Sequence, residues 1–79
     1  MENMNEKVAQ VLVTIKEAVS EHLGSKSLVS EGILDSLDIM KLIVELENTF
    51  DIEIDPEDVL SDNFESVNAI VALVNKCKN

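Results

Sequence analysis

Gly32-Ile33-Leu34-Asp35-Ser36-Leu37-Asp38-Ile39-Met40 is the stretch where a loop gives way to a helix. Either Asp35 or Ser36 can cap the orphan N–H groups of the first turn. Asp38 then places a negative charge near the positive end of the helix dipole. A serine at such a junction projects outward, within reach of another protein. Capping alone accounts for an isolated Asp-Ser-Leu, so the flanking chain decides whether the hydroxyl does more.

Downstream, the spacing predicts a helix over residues 36–50. Ile39, Leu42, Ile43, Leu46 and Phe50 follow core periodicity. Leu37, Met40 and Val44 form a second apolar line, displaced around the cylinder and interspersed with Asp38, Lys41, Glu45 and Glu47. That line is either a wider buried face or a docking surface rimmed by charge. Asp38 and Glu47 are expected at the surface, and Leu46 in the core. Ile52 and Ile54 alternate with acids, but a lone run of this length has no partner strand, so an extended connector is expected. Asp55-Pro56-Glu57-Asp58 reads as a helix start. The helix should be short, reaching about Leu60 or Ser61 before Asp62-Asn63 breaks it. A last helix is expected over 66–78, capped by Glu65, with Val67, Ile70, Val71, Val74 and Cys77 inward and Lys76 and Lys78 at its negative end.

Upstream, Val8, Val11, Leu12, Ile15 and Val19 predict a first helix over 4–22, with Lys7, Lys16, Glu17 and Glu21 on its other side. His22 lies in its last turn and Gly24 is the stop. Residues 24–35 form a long connection in which Leu28, Val29, Ile33 and Leu34 pin the loop to the bundle. The fold expected is all-α: a small four-helix bundle with three longer helices, one short third helix and a long loop between helices one and two, in a single domain over 1–79.

Composition supports a folded chain. The 79 residues are 46% hydrophobic, which outweighs the disorder tendency of a net charge of -10. A domain this small buries roughly 60% of its extended-chain surface, so its core must be simple. The charge is concentrated. Residues 31–65 hold twelve acids against one base, Lys41. Such a field excludes nucleic acid and repels anionic membranes, while it attracts basic patches on protein partners. The one cysteine, Cys77, excludes an internal disulfide and reads as core filler or an inert thiol. No signal peptide or bilayer-length apolar run is visible, so a cytoplasmic protein without membrane insertion is expected.

Catalysis is hard to assemble from these residues. The lone His22 is fourteen positions from Ser36, in another element. Zinc-type ligand spacing and a glycine-rich phosphate loop are both missing from the sequence. Asp51-x-Glu53-x-Asp55 imitates the start of a calcium loop, but its sixth position is Pro56 rather than Gly and its twelfth is Asp62 rather than Glu.

Over nearly the whole chain the sequence resembles the acyl carrier proteins and the related peptidyl and D-alanyl carrier domains. The resemblance rests on Asp35-Ser36-Leu37-Asp38, on Leu42, Leu46, Glu47, Phe50 and Asp51, and on Glu53-Ile54. Element order, length and acidity match as well. It implies that Ser36 receives 4′-phosphopantetheine from coenzyme A, attached by a separate phosphopantetheinyl transferase. It implies a non-catalytic carrier that holds acyl or aminoacyl groups as thioesters and shuttles them between loading and transfer enzymes with basic docking patches. Asp35, Leu37, Asp38, Met40, Lys41, Val44 and Glu47 would form the partner surface, and Ile54, Val59 and Leu46 would line a space for cargo. A monomer suffices for this role. Glu31-Gly32-Ile33-Leu34-Asp35-Ser36-Leu37 looks closer to D-alanyl carriers and carriers of specialised pathways than to the fatty-acid type, which usually has Gly three residues before the serine and commonly an acid in place of Lys41. Two other readings remain: an unmodified acidic module that binds a basic partner through helix two, and a calcium-binding protein.

Overall fold

The computed structural model describes residues 3–78. Three α-helices and three short 3₁₀ turns make up the regular structure, and there is no strand among the described residues.

Helix α1 spans Met4–Ile15, and the Asn3 side chain caps it by accepting the N–H of Glu6 at 2.8 Å. It stops seven residues short of the expected end at 22. Lys16 is extended (φ -156°, ψ 102°), and Glu17–Glu21 form a 3₁₀ turn instead of further α-helix. Two local causes are visible. Val13-Thr14-Ile15 is a β-branched run of modest helix propensity. The Thr14 hydroxyl also donates back to the Gln10 carbonyl at 2.8 Å, a bond that tends to bend a helix. Val19 reaches the core all the same, fully buried from within the turn.

The long connection folds down as its apolar residues predict. Leu28 and Leu34 are buried, and Val29 and Ile33 pack against the core. Its outer side is held by Glu65. The Glu65 carboxylate accepts the N–H groups of Val29 and Ser30 at 2.8 and 3.0 Å and the Ser30 hydroxyl. Glu65 is therefore not the cap of the last helix. Ser66 is, accepting the Ala69 N–H at 3.0 Å. Gly32 has φ +76°, a left-handed conformation that glycine adopts without steric cost.

Helix α2 spans Ser36–Phe50, the range its periodicity predicts. Leu42 and Leu46 are fully buried, and Ile39, Ile43 and Phe50 pack at the core's edge. The helix ends on Asp51, left-handed at φ 55°. The extended connector follows as expected, and Asp55 caps the next turn through the Glu57 N–H at 2.8 Å. The short third helix is not one helix. It is two 3₁₀ turns, Pro56–Asp58 and Ser61–Phe64. Asp62 and Asn63 lie inside the second turn and do not end a helix. Asp58 holds the segment: its carbonyl accepts from Asn63 Nδ2 at 2.7 Å and its carboxylate from Lys76 Nζ at 2.6 Å. Lys76 thus serves this ion pair as well as the helix end. Phe64 closes the segment as the bulkiest fully buried side chain.

Helix α3 spans Val67–Cys77 and buries Val67, Ile70, Leu73 and Val74. Val71 and Cys77, expected inside, are only half-buried, and Leu73 takes the central place. Of the expected inward residues of α1, Val8, Val11 and Leu12 are buried, while Ile15 sits half-exposed beside α2.

Candidate functional site

The first turn of α2 is capped twice. Asp35 Oδ1 accepts the Asp38 N–H at 2.9 Å, and Asp38 Oδ2 accepts the Asp35 N–H at 3.0 Å. This reciprocal pair is a capping box built from two aspartates. It resolves which residue caps: Asp35 does, and Ser36 becomes the first helical residue, exposed at the surface. The hydroxyl is not required to hold the helix start.

Asp38 is not the surface charge its sequence position suggests. It is 8% exposed, the one buried charged side chain among the described residues. Lys16 Nζ donates to its Oδ2 at 2.9 Å and to the Ile33 carbonyl at 2.9 Å. Burial pushes the Asp38 carboxyl up, but the Lys16 and Asp35 hydrogen bonds and the Lys16 charge together hold it below its ordinary value. Lys16 is correspondingly raised, mainly by its bond to Asp38. Glu47 is also committed internally: half-buried, it accepts the Ile54 N–H at 3.0 Å. Both residues were expected to face partners. Both instead tie the chain together, because at each a backbone N–H would otherwise lose its acceptor.

The other expected surface residues are where the periodicity puts them. Asp35 and Lys41 are exposed. Leu37 is 67%, Met40 64% and Val44 54% exposed, so the second apolar line of α2 is open to solvent and not part of a wider core. Leu37, Met40, Lys41, Val44 and Glu45 of α2 line a groove of about 490 Å³ together with Thr14 and Ile15 of α1. The contribution of α1 was not expected. It arises because Thr14 and Ile15 lie in the last turn of α1, which packs against α2.

A second depression, about 280 Å³, starts at Ser36 and is lined by Ile39, Met40, Val59, Leu60, Ser61 and Phe64. Of the three residues expected to line a cargo space, Val59 is here. Leu46 and Ile54 are buried in the core and do not line it. Leu60 and Phe64 were missed because one precedes and the other closes a 3₁₀ turn whose shape periodicity does not reveal. Ile39 carried a signal, as its helical position lies one turn after Ser36. No three acidic, histidine or cysteine side chains among the described residues are placed to hold a metal ion, and Pro56 opens a 3₁₀ turn across the would-be calcium loop. No helix among the described residues is long and apolar enough to cross a membrane.

Comparison with known proteins bears on this site. A family model described as "Phosphopantetheine attachment site" matches residues 6–74. A D-alanyl carrier protein of Streptococcus sanguinis is 35% identical over 74 residues, covering 90% of this chain and 94% of its own length. An acyl carrier protein of an Exiguobacterium species is 36% identical over 73 residues, covering 82% of this chain and 90% of its own. A D-alanyl carrier protein of Lactococcus lactis subsp. cremoris is 37% identical over 73 residues, covering 90% and 91%.

Proposed function

Since the chain belongs to the phosphopantetheine-attachment family, we propose that Ser36 bears its 4′-phosphopantetheine and that residues 1–79 act as one non-catalytic carrier unit. When bound, that group supplies a terminal thiol on which acyl or aminoacyl groups are held as thioesters and passed between enzymes. The observation that carries the reading is the exposure of Ser36 at the first position of α2, with capping delegated to Asp35.

The residues around Ser36 fit a phosphodiester. Its negative charge would lie at the positive end of the α2 dipole. The nearby Asp38 charge is already compensated by Lys16. Attachment joins the Ser36 oxygen to the pantetheine-side phosphorus of coenzyme A. The pyrophosphate bond breaks, 3′,5′-adenosine bisphosphate leaves, and the hydroxyl proton passes to a base of the transferase.

The partner surface is Leu37, Met40 and Val44 with Asp35 and Lys41 at its rim. Asp38 and Glu47 act on it from behind by holding the backbone. Exposed anchors in a shallow groove suit docking that must be fast and reversible. Cargo shelters in the depression beside Ser36 and not among Leu46 and Ile54. Sequence likeness to D-alanyl and acyl carrier proteins alike supports an acyl or aminoacyl cargo. The Gly32-Ile33-Leu34 approach and Lys41 favour a specialised or D-alanyl pathway over primary fatty-acid synthesis. Such a carrier works as a cytoplasmic monomer.

Incubation of apo protein with coenzyme A and a broad-specificity phosphopantetheinyl transferase, followed by intact mass, tests the attachment. Wild type gains one phosphopantetheine and Ser36→Ala gains none. An unmodified wild type, or a modified Ser36→Ala, overturns it.

A further inference from the structure

Lys16 stands where three segments meet. It is the residue at which α1 ends, its Nζ bonds the Ile33 carbonyl in the approach to Ser36, and the same Nζ bonds the carboxylate of the α2 capping box. Gly32 makes this possible. Its left-handed backbone turns the chain just before Ile33, whose carbonyl then accepts from the ammonium. Asp38 Oδ2 therefore carries two bonds, one from Lys16 and one from the Asp35 N–H. Asp35 is the residue directly before Ser36.

We infer that Lys16 is a positioning residue for the modification of Ser36, an inference that rests on Ser36 being the attachment point. The chain of contacts is short and complete: Lys16 holds Asp38, Asp38 holds the Asp35 N–H, and Asp35 sets the direction from which the chain enters Ser36. The Ile33 bond fixes the other side of the same turn. Without the ammonium, Asp38 is a buried carboxylate left with the single bond from the Asp35 N–H, and it swings toward water or takes up a proton. Either response loosens the box and lets Ser36 wander relative to the groove where an enzyme docks. Binding and reaction then part company. The docking anchors Met40 and Val44 lie beyond the first turn of α2 and keep their places, while the hydroxyl loses its alignment.

The test is steady-state transfer of phosphopantetheine from coenzyme A to apo protein by a purified transferase. Lys16→Met, Lys16→Arg, Asp38→Asn, the double variant Lys16→Met/Asp38→Asn and Lys76→Met are compared. Lys76→Met breaks the other ion pair, to Asp58, which makes no bond to the capping box although its segment borders the depression beside Ser36, and serves as the control for general loosening. Thermal unfolding and far-UV circular dichroism show which variants are folded. Lys16→Met is expected to lower kcat about tenfold while KM for the carrier changes less than about twofold, since misalignment acts on the reacting atoms. Lys16→Arg recovers most of the loss. The double variant is no slower than the slower single, because both substitutions remove one shared interaction. Lys76→Met stays near wild type in kcat even where its unfolding midpoint drops as far.

A wild-type rate in Lys16→Met overturns the inference, as does a loss matched by Lys76→Met at equal stability or a loss confined to KM. If Lys16→Met does not fold, Asp38→Asn and Lys16→Arg decide by the same kcat-against-KM criterion. Failure of the attachment proposal looks different: wild type itself takes up no phosphopantetheine.

Discussion

Glu65 and Ser30, thirty-five residues apart, are joined through both the backbone N–H and the hydroxyl of the serine. The short link between the Ser61–Phe64 3₁₀ turn and α3 thereby holds the loop that leads to Ser36. The Leu28 N–H adds a bond to the Glu65 carbonyl at 2.9 Å. Glu65→Ala is expected to lower the unfolding midpoint and to speed amide hydrogen exchange at Val29 and Ser30, which lose their acceptor. Exchange measured by NMR at single residues checks this. Unchanged protection there would show that the loop holds itself.

Stability toward acid depends on the same kinds of bond. Asp38 and Glu65 both titrate below their ordinary values of 3.8 and 4.5, Asp38 through Lys16 and Asp35 outweighing burial, Glu65 through the hydroxyl and N–H of Ser30. A carboxyl lowered in the folded state stabilises fully above its unfolded value and loses that contribution as pH falls through the folded one. Acid also relieves the repulsion of a chain with net charge -10, which acts in the opposite direction. The clean measure is thus the stability difference between wild type and Asp38→Asn. It should be largest near neutrality and shrink below about pH 4 in urea titrations at stepped pH. At the alkaline end, Lys16 is raised above 10.5 by Asp38, so its contribution is intact below that pH and fades as pH climbs through the higher folded value.

The two apolar lines of α2 should separate cleanly. Leu46 is fully buried, and Leu46→Ala should cost about 2–5 kcal/mol. Leu37 is 67% exposed, and Leu37→Ala should stay within about 0.5 kcal/mol of wild type. Chemical denaturation of both variants reads the contrast.

Met40 lines both the groove between α1 and α2 and the depression at Ser36. Met40→Asp should leave helicity unchanged and raise KM for the transferase about tenfold, or ~1.4 kcal/mol, by placing a charge in an apolar contact. Circular dichroism with transfer kinetics checks both halves.

Reversing the charge at Asp38 and Glu47 together should not yield a well-folded protein with a weakened surface. It should unfold the first turn of α2 and the link to Ile54, seen as lost helicity and a lower midpoint. A lysine at 38 would face Lys16, and one at 47 would leave the Ile54 N–H without its acceptor.

These cases mark what local pattern can and cannot convey. Helix α2 is legible because its start is written in Asp35-Ser36, though not which of the two caps, and its face in Leu42 and Leu46. Its exposed line is legible as a line, though not as exposed, since that depends on what fails to cover it. The break at Lys16 is hidden because the apolar spacing of α1 runs on through Val19 whether or not the helix does. The partners of Lys16 and Asp38 are 22 residues apart, and those of Ser30 and Glu65 further still, so neither pair leaves a periodic trace. Glu47 and Asp38 look like rim charges because acids usually are. Only the backbone N–H groups beside them in space reveal otherwise. Phe64 is placed by tertiary packing from a turn too short to show a period, whereas Leu73 sits at helical spacing three residues after Ile70, where the pattern could have found it.

Phe64 has one more use. The chain contains no tryptophan or tyrosine, and Phe50 is its only other aromatic residue. The Phe64 ring lies between the interior and the hollow that opens at Ser36. Any molecule that settles into that hollow changes the magnetic surroundings of this ring, and in a fluorine spectrum of protein labelled at phenylalanine only Phe50 would contribute a second signal. The protein thus contains its own occupancy gauge: a fluorinated phenylalanine would report by one displaced resonance whether a tethered chain is tucked in or hanging in solvent.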